Sequence, residues 1–507
     1  MPGARRSGKN VNSSNHNNPR VTAGSHSDRI ARNASYLTLA LTLQKVLSFV
    51  YFAYISKAVG SEEIGRYLFA ISLTTIFGIL IDVGLSPVLT REIAKDRDQT
   101  NTFLNSVVSI KILTAVLAYL AVITTVAIIG SPELTRHLVY ITGIVMILDT
   151  FTLSFYAILR GHQVLKFEAI GTIVNKIVVM GLGIFLLRIE HNVMFLVLAI
   201  LLGSSFNFCY SLSLSIRKMK WRPRIYWDRP ILRRIFIIAF PFALASVFMV
   251  VFGYIDTVLL NVMSGEKGNS YVGWYGTAYK LTYAFQFIPI AVGAALFPAM
   301  SAYFVSSKEM LARTFEKAVY YLLVIVIPII FGVFAIADKL ILGVWGKAFG
   351  ASIIPLQILI FSLFFVFINF PIGSLLNACN RQMRNTINLG IAMSVNVVLN
   401  LILIPARQYI GTSISSLVST IVLCGLGLIV VDQIIKYNKK YLFTILAKTM
   451  ISGGAMMAVL YALKPEIKFI YLIPIGVLVY FIVLFVIRGF GVQEYRRVYQ
   501  ALIKKFT

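Results

Sequence analysis

Eight ionisable side chains lie within long apolar stretches of this 507-residue chain: Lys45, Asp82, Lys111, Asp149, Lys176, Asp256, Lys280 and Lys448. In hydrocarbon a charge costs about 2.5–3.5 kcal/mol even on lenient insertion scales, so each needs a partner, water or a function. Five lysines against three aspartates make the set cationic. A water-filled cavity of that sign suits an anionic head group, whereas one for cationic drugs would favour Asp and Glu. The competing reading is structural: ion pairs that lock helices together, or lysines that snorkel to the headgroups. Snorkelling suits Lys448, only a few residues into its stretch. As helices rising 1.5 Å per residue, the stretches put Lys45 roughly 15 Å deep and Lys111 and Lys176 roughly 12 Å deep.

Amides add to the buried polar set, with Gln44, Asn175, Asn207, Asn369, Asn396 and Asn400 inside the same stretches. Asn396 and Asn400 are four apart and share one helix face. They fit either hydrogen bonds to sugar hydroxyls or bonds to a neighbouring helix, the commoner use. The abundant tyrosines and phenylalanines read as packing, lipid-facing and interfacial residues.

Other chemistries lack their residues. No GxxxxGK[ST] phosphate loop occurs, and GVWGKAFG (343–350) has the wrong spacing. The histidines are scattered, without Cys or carboxylate spacing for zinc, so no metal site is expected. No nucleophile has a base and an orienting partner, and no cofactor motif is present. Cys209, Cys379 and Cys424 sit in apolar runs, which excludes a disulfide scaffold. A non-enzymatic protein is expected.

The elements that must carry these residues are membrane spans. Hydrophobic residues make up 58% of the chain and charged ones 13%, where a soluble domain carries roughly 25% charged. The expected fold is all-α, a polytopic membrane protein of about fourteen spans, each long enough to cross roughly 30 Å of hydrocarbon. Expected spans include 34–56, 65–89, 272–299, 385–405 and 409–431. The net charge of +27 is a topology signal. With the N-terminus inside, basic residues of the tails and even-numbered turns outnumber those opposite roughly threefold. This predicts cytoplasmic N- and C-termini, contact with anionic lipids, and no nucleic-acid partner.

Five segments follow: a disordered basic tail (1–33), an N-lobe of six spans (34–216), a basic linker (217–234), a C-lobe of six spans (235–432), and two last spans with a basic C-terminus (433–507). The linker carries eight basic residues and one acid. GRYLFAISLTTIF (65–77) and GWYGTAYKLTYAF (273–285), offset by 208, share six identities, among them Gly65/Gly273 and Tyr67/Tyr275. Six spans is an even number, so the halves form a parallel repeat about an axis along the membrane normal. Prolines concentrate in spans seven to ten, which predicts bent helices there.

Residues 31–96 resemble the start of prokaryotic polysaccharide flippases of the O-antigen type, within the multidrug/oligosaccharidyl-lipid/polysaccharide exporter superfamily. The likeness rests on a first span, a turn VGSEEIGRY, and a second span ending DVG…TREIA. LILGVWGKAFGASIIPLQIL (340–359) is similar to that family too. The resemblance implies two lobes around a cavity open alternately to each face of the cytoplasmic membrane. It implies an oligosaccharide on a polyprenyl diphosphate as cargo, for surface polysaccharide or glycoconjugate assembly, with glycan assembly enzymes as partners. On that reading Lys45, Lys111, Lys176 and Lys280 neutralise the diphosphate, and Asn396 and Asn400 reach the substrate. Asp82, Asp149 and Asp256 pair the lysines or carry a coupling ion. A cation-coupled drug exporter and a peptidoglycan-precursor flippase of the same superfamily are the alternatives.

Overall fold

The computed structural model describes the backbone of residues 23–489 and the side chains of Gln44 and of residues 47–489. The expected tail (1–33) and C-terminal extension therefore lie partly outside the described residues, as does the side chain of Lys45. Among the described residues every regular element is a helix, and there is no strand. The elements are α1 (Ala23–Asp82), α2 (Leu85–Lys95), α3 (Thr100–Ile129), α4 (Glu133–Gly161), α5 (Lys166–Ile189), α6 (Val193–Arg217) and α7 (Arg229–Met263). They continue as α8 (Gly268–Ala284), α9 (Phe287–Ser306), α10 (Lys308–Val344), α11 (Ile353–Ala378), α12 (Gln382–Ile434), α13 (Lys439–Leu463) and α14 (Phe469–Val486). Helices satisfy every backbone group within the segment, which hydrocarbon requires.

Twelve helical segments are long and apolar enough to cross a membrane. Two of the helices are too long to be single crossings. α1 has 60 residues and α12 has 53, each far beyond the roughly 20 that span a bilayer. α1 kinks at Gly60 (φ 86°) and α12 at Gln408 (φ 52°), three residues after Pro405. Glycine takes that left-handed φ without a Cβ clash. Divided at these kinks, the twelve segments become fourteen helical stretches among the described residues, against about fourteen spans expected. The expected second span (65–89) breaks after Asp82, at Val83 (φ 40°) and Gly84 (φ 73°). The expected eighth (272–299) breaks at Phe285–Gln286, between α8 and α9. Pro241, Pro298, Pro328 and Pro371 all lie inside helices.

Helices α1 to α6 pack together, α7 to α12 form a second group, and α13 and α14 lean on α10. The groups meet along α1–α7, α1–α8 and α2–α7. The α1–α8 crossing falls on the internal repeat. A Cβ on Gly65 would collide with the carbonyl oxygen of Asn269, and one on Gly273 with that of Ser61. The repeat offset of 208 carries Ser61 onto Asn269 and Gly65 onto Gly273, so the crossing is symmetric. Small residues spaced four apart let two backbones touch. Beside it, Trp345 Nε1–H donates to Ser56 Oγ at 2.7 Å.

At the opposite face, residues 219–228 are non-helical and lie along α3. Asn105 accepts from Trp221 Nε1 (2.8 Å) and from the Arg224 amide (3.1 Å), and donates to the Arg222 carbonyl (3.1 Å). Asn101 accepts from the Arg222 amide (3.0 Å), and Ser109 from the Tyr226 amide (3.0 Å). These three α3 residues are four apart, so one helix face replaces the backbone partners the strap lacks. On the same face Glu92, nearly fully buried, pairs with Lys95 (2.7 Å) and with Arg234 of α7 (2.6 Å). That bridge ties the TREIA end of the second span to the second group of helices.

Candidate functional site

A cavity of about 420 Å³ lies where α1, α5, α7 and α8 converge, between the two groups of helices. Lys176 reaches it from α5 and Lys280 from α8, so each half contributes one ammonium. Two ammoniums on the wall of one cavity repel each other. An anion between them relieves that repulsion, and a cation increases it. Lys176 Nζ also sits 5.6 Å from the centre of the Tyr51 ring, a cation–π distance. The α8 wall is one stripe, Tyr275, Gly276, Tyr279, Lys280 and Tyr283, set by helical spacing. Opposite it lie Tyr51 and Tyr67 of α1 and Tyr254 of α7.

Asp256 lies at the edge of this cavity, almost wholly buried. It accepts from Tyr275 Oη (2.6 Å), from Asn400 Nδ2 (2.6 Å) and from the Ser416 hydroxyl. Asn400 Nδ2 is also 3.0 Å from the Asn396 carbonyl, and Asn396 Nδ2 donates to Ser419 Oγ (3.3 Å). Asn396 and Asn400 thus stand behind Asp256 and are absent from the cavity wall. No lysine, arginine or histidine pairs with Asp256 among the described ion pairs. The adjoining Asn400 Oδ1 is buried without a hydrogen-bond partner. An acid neutralised only by hydroxyls and amides, beside an orphaned oxygen, suits a proton or a small cation.

Asp82 and Lys111 form a different arrangement. Lys111 is fully enclosed, paired with Asp82, and donates to the Thr150 carbonyl at 2.7 Å. Ser86 Oγ donates to Asp82 Oδ1 at 2.5 Å. The pair closes the break between α1 and α2, where the chain has lost its own helical bonds. Asp149 opens onto a second cavity, of about 390 Å³, between α1, α4 and α7, which Asp82 also lines. Ile71 lines both cavities. Lys448 donates to the Arg488 carbonyl (2.9 Å) at the edge of the bundle.

Of the residues singled out from sequence, the structure brings Lys176, Lys280 and Asp256 to one cavity. It gathers Asn396 and Asn400 onto Asp256 and places Asp82, Lys111 and Asp149 elsewhere. Sequence reading missed Tyr275, Tyr279, Tyr283, Ser416 and Ser419. The tyrosines carried a signal, recurring every fourth residue beside Lys280 within the repeat itself. The serines carried none that separates them from ordinary helix hydroxyls.

Known proteins share this architecture. The chain is 22% identical over 397 residues to the probable low-salt glycan biosynthesis flippase of Haloferax volcanii, covering 77% of this chain and 81% of that one. It is 22% identical to the capsular polysaccharide biosynthesis protein CapF of Staphylococcus aureus, covering 78% and 97%. Among solved structures, the lipid II flippase MurJ in an inward closed conformation superposes with a TM-score of 0.72 at 18% identity, over 89% of this chain and 98% of that one. An inward-facing multidrug resistance transporter of the MATE family gives 0.61 at 15% identity, over 80% and 98%. These likenesses establish a multi-pass membrane protein with the MurJ and MATE transporter fold. The model of the polysaccharide biosynthesis protein family matches residues 30–304, more than half of the sequence, and the chain belongs to that family.

Proposed function

We propose that this protein moves a lipid-linked oligosaccharide from the inner to the outer leaflet of the cytoplasmic membrane by alternating access, with both termini in the cytoplasm. The observation that carries the reading is the cavity between the two groups of helices, with Lys176 and Lys280 facing it from opposite halves. A diphosphate head group bridges two such ammoniums and draws the halves together. When the halves part, its hold weakens on one side, which is what release requires. The cationic cavity disfavours the drug-exporter alternative, whose substrates carry the wrong sign.

Asp256 is the coupling acid of this scheme. Its charge is held by dipoles alone, so binding or losing a proton or cation changes the balance between α7, α8 and α12. Lys111 acts differently, because its pairing with Asp82 holds the α1–α2 break closed. The crossing at Gly65 and Gly273 is the outer gate, and the Glu92–Arg234 bridge secures the inner one.

The test is export in cells lacking the gene, with lipid-linked glycan measured on each side of the membrane. Accumulation on the cytoplasmic side, cleared by wild type and not by Lys176→Gln/Lys280→Gln, supports the proposal. Normal glycan export with lost resistance to cationic compounds contradicts it.

A further inference from the structure

Three tyrosines of α8 stand in a ladder along the cavity wall. The Tyr275 and Tyr279 ring centres are 5.7 Å apart, and those of Tyr279 and Tyr283 are 4.2 Å apart. Tyr51, Tyr67 and Tyr254 line the same space, so six phenols surround two ammoniums. The volume, about 420 Å³, falls in the range of small-molecule sites, roughly 300–1,000 Å³.

The three rungs differ in what they have left to offer. Tyr275 is almost wholly buried and its hydroxyl is committed to Asp256. Tyr279 and Tyr283 are only partly buried, with surface on the cavity. Tyr283 Oη lies 3.3 Å from Ser362 Oγ, which fixes its ring from behind. Phenylalanine or leucine would serve equally well for helix packing, and better for a polyprenyl tail. A phenol adds a polar tip to an apolar face. A pyranose has the matching form, with C–H bonds on its face and hydroxyls around its rim. The cavity also lies between the halves of the protein rather than on the lipid side, so the polyprenyl tail has no reason to enter it.

We infer that the α8 stripe, through Tyr279 and Tyr283, is the saccharide subsite of the cavity, stacking on sugar rings while Lys176 and Lys280 hold the diphosphate. The inference rests on the flippase reading. Stacking recognises the C–H face common to hexoses rather than their hydroxyl pattern, so the subsite tolerates several sugars. Lys280 adjoins Tyr279 in sequence, which sets the first sugar beside the phosphate that carries it.

The experiment measures binding of two probes to the full chain in lipid nanodiscs. One probe is bare polyprenyl diphosphate, and the other is the same lipid carrying a hexose oligosaccharide. Tyr279→Leu and Tyr283→Leu are each expected to weaken the glycosylated probe about tenfold and to leave the bare probe within about twofold. Tyr279→Phe keeps most of the affinity, because the stacking face remains. Lys280→Gln weakens both probes. Tyr283→Leu stands in should Tyr279→Leu fail to fold, as judged by its melting temperature. Equal weakening of both probes by the tyrosine variants, or no weakening of either, overturns the subsite. If neither probe binds the wild-type chain, the flippase reading itself falls.

Discussion

Lys111 and Lys176 lie at similar depths in their spans, yet the structure gives them different surroundings. Lys111 is enclosed and paired with Asp82, which opens on its other side to the second cavity, while Lys176 borders the first cavity beneath Tyr51. Removing one member of a buried pair strands the other, at a cost of about 3–5 kcal/mol. Lys111→Met is therefore expected to lower the stability of the purified protein by about that amount, and adding Asp82→Leu to recover much of it. Denaturation in detergent measures both. A stable Lys111→Met that no longer transports would place Lys111 against the substrate instead. Lys176→Gln should behave in the opposite way, melting normally and losing affinity for bare polyprenyl diphosphate. Residue types and depths were legible in the sequence and singled out Asp82, Lys111, Lys176 and Asp256, while the buried Glu92 was not among them. Partnership was not, because Asp82 meets a lysine 29 positions away and Asp256 meets a serine 160 positions away. Spacing along one helix cannot report on either.

The elements carry the moving parts. The backbones of α1 and α8 touch through Gly65 and Gly273, with no room for a Cβ on either side. Gly65→Leu should hold this crossing apart and favour the state open to the outer face. With the native cysteines replaced and Thr257→Cys placed in the cavity, an impermeant maleimide added outside should label Gly65→Leu several-fold faster. Unchanged labelling would show that the crossing is not a gate. The linker makes a separate prediction. Asn105 holds it by three hydrogen bonds, and Asn105→Ala leaves the buried Trp221 Nε1–H unpaired, at about 1–3 kcal/mol. Trypsin cleavage after Arg224 should become faster; an unchanged rate would mean the strap is held elsewhere. The spans and the glycine repeat were visible as apolar length and identity. The breaks were less so. Gly60 is a recognisable left-handed residue, but Val83 and Gln408 are not types that announce such a turn. Their conformations are imposed by what packs around them.

Across the molecule, two groups of helices meet at the cavity that α1, α5, α7 and α8 line, and α13 and α14 pack against α10. The fold class was legible because hydrocarbon leaves so few choices. Long uncharged runs must be helices, and basic turns must lie on one side. The arrangement of helices around a lumen was legible only through the resemblance, since no single span reveals which of its faces meets water. Everything proposed for this protein depends on the cationic lumen carrying a lipid-linked glycan across the bilayer. Flipping by purified protein in liposomes measures that directly, following a lipid-linked oligosaccharide made accessible to an enzyme or lectin outside the vesicle. The expected result is transfer by wild type that is lost in Lys176→Gln/Lys280→Gln and in Asp256→Asn, with all these proteins reconstituting to the same extent. Transfer at the wild-type rate by the double lysine variant, or no transfer by wild type, would contradict it.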